Sequence, residues 1–194
     1  MKWHEAIGVS GFHDPFVADT EDLKGFDAED FRRGRRIRSW DPAAWYKAVK
    51  RKNDGALDDV LCEGLYIPVY SARLREALDR AGIERIQYLP VRVFRPDGSE
   101  IKGYAIANFL HAVSALDAER TEEVMYFPDD FPNPHARGKI EGIRGLVLRA
   151  SRLEGRDVIR LRESLLRVYV SDRFRGVFKE GGFIGYAFRR VKVA

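Results

Sequence analysis

Two hydrophobic periods alternate along this chain, and each change of period marks an element. Over "YSARLREALDRAGI", Leu74, Ala77, Leu78 and Ala81 recur at i, i+3, i+4 and i+7, which predicts a helix with one apolar stripe. Ser71 stands at the N-cap and Gly82 where the helix must stop. A hundred residues on, "VSDRFRGVFKEGGF" repeats the arrangement with Ser171, then Phe174, Val177 and Phe178 inward, then Gly181-Gly182. Laid together, the two stretches set Arg73 on Arg173, Arg75 on Arg175 and Gly82 on Gly182. Caps, stripes and stops recur in any short amphipathic helix, so their agreement predicts a strand–helix–strand unit used twice, not a duplicated active site. Only the paired arginines exceed what convergence explains.

Period-two runs surround the helices. "LYIPVY" reads as a short strand, with Pro68 favouring an edge or a bulge. "RIQYLPVRVF" alternates with Leu89, Val91 and Val93 on one face; "RPDGS" is a turn, and "IKGYAIANFL" returns. Residues 86–110 are thus expected to form an antiparallel hairpin. "AVSALDAERTEE" reads as a chain reversal, "VMYF" as a short strand and "PDDFPNPHARG" as a proline-rich loop. "IRGLVLRA", "DVIRL", "LLRVYV" and "FIGYAFRRVKV" read as strands. Earlier in the chain, "FRRGRRIRSW" is expected to hold a short strand near Ile37. "SWDPAAWYKAVKRKNDG" reads as a helix capped by Asp41, with Pro42 at its first position and Trp45, Ala48 and Val49 on one face. "LDDVLCEGL" reads as a short helix ending at Gly64.

The pattern predicts an α+β protein: a single domain, a mostly antiparallel sheet with short helices packed against it, containing the two similar units. At 194 residues such a domain buries roughly 70% of the surface its unfolded chain exposes. No Ser- or Gly-rich linker divides the chain. Residues 1–64 read as an N-terminal extension, acidic and then basic, and residues 65–194 as the α+β core, the whole being one continuous domain.

Composition narrows the function. No apolar run approaches the roughly 20 residues of a membrane span, and "MKWHEAIGVSGFHD" lacks a signal-peptide core, so a soluble cytoplasmic protein is expected. Cys62 is the only cysteine, which excludes a disulfide framework, and it is expected to be buried. There is no Walker loop, and "GGFIG" follows a helix where a dinucleotide fingerprint follows a strand. His4, His13, His111 and His135 lack metal-ligand spacing. Asp129, Asp130 and His135 are read as a solvated loop in preference to a hydrolytic cluster. No catalytic, cofactor-binding or metal-binding residue is assigned, and no enzyme is expected.

Charge is more informative. Residues 1–31 carry eight acids and two lysines, a balance of −6; residues 32–52 carry nine Lys or Arg and one Asp, a balance of +8. Arg32, Arg33, Arg35, Arg36 and Arg38 lead this basic stretch, followed by Lys47, Lys50, Arg51 and Lys52, with Trp40, Trp45 and Tyr46 interleaved. Two readings stand. The residues fit phosphate contacts with stacking platforms, hence nucleic-acid binding. They equally fit the Arg, Trp and Tyr that dominate protein–protein hot spots. Arg32, Arg33, Arg35, Arg36, Arg38, Trp40 and Tyr46 are taken as the partner-binding set, unless the acidic head folds across them.

From about Leu65 onward the chain resembles a bacterial family first catalogued as a domain of unknown function and grouped with the immunity proteins of polymorphic toxin systems. The likeness lies in "YIPVYSARLREALDRAGIERIQYLPVRVF", "GYAIANFLHAVSALD", and "VIRL" leading into "VYVSDRFRGVFKEGGFIGYAF". It departs at Thr121 and Ile159, where similar proteins tend to carry Ser and Phe. The resemblance implies a protein that binds and neutralises a cognate toxin; a basic inhibitor points to an acidic contact surface on that toxin. It supplies no binding residues to carry over.

Overall fold

The computed structural model describes residues 1–8, 17–49, 58–61, 67–95, 97–110 and 112–194. The first half contains β1 (Trp3–Gly8), β2 (Val17–Asp22), α1 (Ala28–Arg32), β3 (Trp45–Val49), β4 (Val60–Leu61), β5 (Val69–Ser71), α2 (Ala72–Arg80), β6 (Ile86–Pro90) and β7 (Arg92–Phe94). Then come β8 (Glu100–Ile101), β9 (Tyr104–Phe109), β10 (Ala112–Val113), β11 (Glu123–Tyr126), β12 (Ile140–Arg144) and β13 (Val147–Leu148). β14 (Val158–Leu161), β15 (Ser164–Ser171), α3 (Asp172–Glu180) and β16 (Tyr186–Val193) complete it. The sheets run β10-β14-β15-β1-β16-β13, β4-β5-β9-β6 and β2-β3-β7-β8, with β11-β12 as a separate ribbon. Among the described residues only β3–β7, β10–β14 and β13–β16 pair in parallel. This is the expected α+β architecture with a mostly antiparallel sheet system.

The repeated unit is present and extends further than its sequence signature. β4-β5-β9-β6 and β14-β15-β1-β16 carry α2 and α3 at equivalent places, after β5 and β15. In one unit the middle strand, β9, follows in sequence; in the other it is β1, from the N-terminus. Both helices are capped as the pattern predicts, Ser71 Oγ accepting from Leu74 N and Ser171 Oγ from Phe174 N, each at 3.2 Å. Gly82 and Gly182 end them at φ +64° and +60°, a backbone that favours glycine. Leu74, Leu78, Phe174 and Phe178 fill one core between the two units with Tyr70, Phe109 and Tyr186.

The arginines that convergence left unexplained join the units. Arg73 binds Asp59 through Nε (3.1 Å) and Nη2 (2.8 Å), and its Nη2 also donates to Gly182 O at 3.2 Å, past the end of α3. Arg173 binds Asp157 in the same two-pronged way, and its Nη2 donates to Gly82 O at 3.1 Å, past the end of α2. Each carboxylate also accepts from the capping serine of its own unit, Asp59 from Ser71 at 2.7 Å and Asp157 from Ser171 at 2.6 Å. Each helix end is thus closed by an arginine from the other unit. Arg75 and Arg175 do not share this symmetry: Arg75 donates to Gly103 O, and Arg175 lies near Asp172.

β9 is buried along its whole length because it faces two cores. Ala107 and Phe109 turn toward the helices; Tyr104 and Ile106 turn toward a second core with Phe31, Tyr46, Leu89 and Val93. A third core gathers Trp3, Leu148, Leu153, Ile159 and Tyr169 on the opposite face of the six-stranded sheet.

Four expectations are corrected. The helix expected from Asp41 is a turn followed by strand β3. Asp41 Oδ1 accepts from Ala43 N at 2.8 Å, so the capping signal closes an Asx turn. Ala44 and Tyr46 are buried with Trp45 between them less so, which is a period of two, and β3 finds partners in β2 and β7. Pairing across the sheet overrides helix propensity. Ile37 lies in no strand, because a glutamine side chain takes both of its backbone groups. Val60–Leu61 is strand β4 where a helix was expected; Cys62 and Gly64 lie outside the described residues, as do residues 50–57. The run 86–94 splits at Val91 into β6 and β7, which join different sheets, although Leu89, Val91 and Val93 do share one core.

Candidate partner-binding surface

The arginine segment begins in α1. Asp27 caps this short helix by accepting from Glu29 N at 2.9 Å, and Phe31 drops into the second core, leaving Glu29, Asp30 and the arginines outward. Beyond Gly34 (φ +64°) the chain runs without regular structure to Trp40, yet its backbone is held. Gln87 of β6 accepts from Ile37 N at 3.0 Å and donates to Ile37 O at 2.6 Å, imitating a strand partner. Asn108 of β9, itself buried, donates to Arg35 O at 2.7 Å and to Gln87 Oε1 at 3.1 Å. Trp40 Nε1 donates to Pro90 O at 2.6 Å, and its ring packs against Phe26 and Phe31. Gln87, Leu89, Ile106 and Asn108 alternate onto one face of β6 and β9, so the clamp and the core beneath it come from the same sheet face.

The side chains divide accordingly. Arg33, Arg35, Arg36 and Arg38 are exposed and Arg32 is half-buried. Glu29 pairs with Arg33 at 3.1 Å and reaches Arg32 at 3.9 Å; Asp30 lies 3.7 Å from Arg35. The acidic head therefore covers part of the patch. Arg36 and Arg38 have no carboxylate partner among the described residues. Tyr46 is 4% exposed and belongs to the second core, and Trp40 is half-buried, so guanidinium groups dominate the outward surface. The structure brings Arg32 to Trp40 together as one rigid strip with Tyr46 in the core beneath.

Gln87, Asp59 and Asp157 were not singled out in the sequence, and Asn108 entered only as part of the family-like strand "GYAIANFL". A polar residue on the core face of an otherwise apolar strand was the available signal for Asn108. Asp129, Asp130 and His135 are exposed on the loop after β11, as a solvated loop requires. Among the described residues no group of three His, Cys, Asp or Glu side chains is placed to hold a metal ion. No helix among them is long and apolar enough to cross a membrane.

The model of the Imm11 immunity protein family matches residues 25–193. This chain belongs to that family. The Imm11 match starts ahead of Leu65, where the resemblance read in the sequence begins, and takes in α1 and the whole arginine strip. No curated protein matches the chain.

Proposed function

We propose that this Imm11 member binds and neutralises a cognate bacterial toxin, stoichiometrically and without catalysis, in the cytoplasm of the cell it protects. The arginine strip from Arg32 to Arg38 is its contact with an acidic surface of that toxin. The observation that carries this is the clamp: half-buried Gln87 and buried Asn108 hydrogen-bond the backbone of a segment whose Arg35, Arg36 and Arg38 side chains are exposed. A preorganised contact segment loses little entropy on binding. The rival, nucleic-acid binding, draws on the same arginines. Of its three stacking platforms, Tyr46 is buried and Trp40 packs against the second core, which weakens it; Trp45 is half-buried and lies outside that core.

The test reverses the two arginines that have no carboxylate partner among the described residues. Arg36→Glu with Arg38→Glu should slow association with the cognate toxin by about tenfold and flatten its salt dependence, with the melting temperature unchanged. Retained toxin affinity together with lost binding to non-specific DNA would transfer the strip to the rival.

A further inference from the structure

The β11–β12 ribbon is built unlike the rest of the protein. Among the described residues its strands pair only with each other, and neither contains a buried residue. Ile143 anchors its base against the third core, and Arg144 of β12 pairs with Glu123 of β11 (3.0 Å) and with Glu122 just before that strand (2.9 Å). Further out, Met125 and Tyr126 are 40% and 57% exposed, two of the six exposed large hydrophobic residues in the described chain. A two-stranded ribbon is marginal by itself. This one is stiffened at its tip: Phe127 and Phe131 stack at 4.6 Å, Arg137 Nε donates to Phe131 O at 2.7 Å, and Asn133 closes a turn onto His135 N at 3.0 Å. Pro128, Pro132 and Pro134 restrict the same loop.

Charge separates this arm from its scaffold. Residues 122–144 contain five carboxylates and three Lys or Arg, a balance of −2, within a chain of +4. Asp129 and Asp130 stand exposed at the tip, with no ion-pair partner among the described residues. An arm that packs on its own chain at its base through Ile143, with an exposed tyrosine and methionine further out behind two carboxylates that have no ion-pair partner among the described residues, has the makings of an insertion element. Tyr supplies rigid amphipathic area, Met adapts to an irregular pocket, and the carboxylates select a basic rim.

We infer that this arm is a second contact with the cognate toxin, Tyr126 and Met125 entering an apolar cleft whose rim is basic and meets Asp129 and Asp130. The inference rests on the toxin-neutralising reading above and assigns a contact of opposite polarity to the arginine strip.

The experiment measures binding of the full chain to a purified candidate toxin domain, at low and high salt, with melting curves alongside. Tyr126→Ala should weaken binding at least about tenfold, as loss of a central aromatic anchor does. Asp129→Lys with Asp130→Lys should weaken it comparably at low salt and far less at high salt. This second variant alters no contact within the described chain, so it stays informative if Tyr126→Ala loosens the ribbon. Wild-type affinity in both variants overturns the arm while leaving the toxin reading intact. Tighter binding by the charge reversal overturns it as well, because the rim is then acidic. If the wild-type chain itself neither binds nor protects, the toxin reading falls and the arm falls with it.

Discussion

At Asp59 several demands meet in one carboxylate. Burial pushes its pKa up, but hydrogen bonds from Arg73, Ser71 and the Ile184 amide outweigh burial and hold it below the ordinary carboxylate range. A carboxyl depressed in the folded state stabilises the fold above its unfolded pKa, and that stabilisation is lost as pH falls through the folded value. Asp59→Asn should therefore cost about 2 kcal/mol near neutrality, the scale of a hydrogen bond to a charged group. The difference from wild type should begin to shrink near pH 4, where the unfolded carboxyl takes up its proton, and close only once the pH has fallen below the depressed folded value. Chemical denaturation at several pH values measures it; a difference that persists unchanged into acid contradicts the assignment. The pairing also explains why Ser71 and Ser171 are more than caps, since each hydroxyl both accepts from its helix and donates to its aspartate.

Elements take their final form from such partners. The segment after α1 has no ladder of its own, and the amide of Gln87 supplies one residue's worth of strand pairing at Ile37. Gln87→Ala should cost about 1 kcal/mol of stability. It should also raise hydrogen exchange at the Ile37 amide sharply, and weaken toxin binding although Gln87 does not face solvent with the arginines. Exchange mass spectrometry over residues 33–40 reads the first effect directly; unchanged protection there would mean that the strip is held by Trp40 and Asn108 alone. β3 shows the same dependence on a larger scale. Its sequence carries a good helix signal, yet flanking strands β2 and β7 offer two ladders of hydrogen bonds that a helix there would forgo.

For the whole molecule, the N-terminus is a structural centre. β1 lies between β15 and β16 in the six-stranded sheet, and Trp3, fully buried, anchors the third core. We propose that residues 1–64 and 65–194 make one continuous domain, because the strand that completes the C-terminal unit comes from the first eight residues. Removing residues 1–8 should leave β15 and β16 as unpaired inner edges and abolish the cooperative melting transition. A truncated chain that still melts in one sharp step near the wild-type temperature would show that the sheet closes without β1.

What was legible in the chain was whatever is encoded within a turn or two of itself. The capped helices α2 and α3, their glycine stops, the returning hairpin, the proline-rich loop and the closing strand all rest on neighbours a few residues apart. The sign and steepness of the arginine segment were equally plain. Tertiary structure decided the rest because the deciding partners are remote: Arg73 meets Gly182 across 109 residues, and Ile37 meets Gln87 across 50. It decided that β3 is a strand, that Tyr46 belongs to the core while Arg36 and Arg38 face solvent, and that paired arginines close each other's helices. A side chain's local pattern states which groups need partners; only the fold determines which partners come within reach.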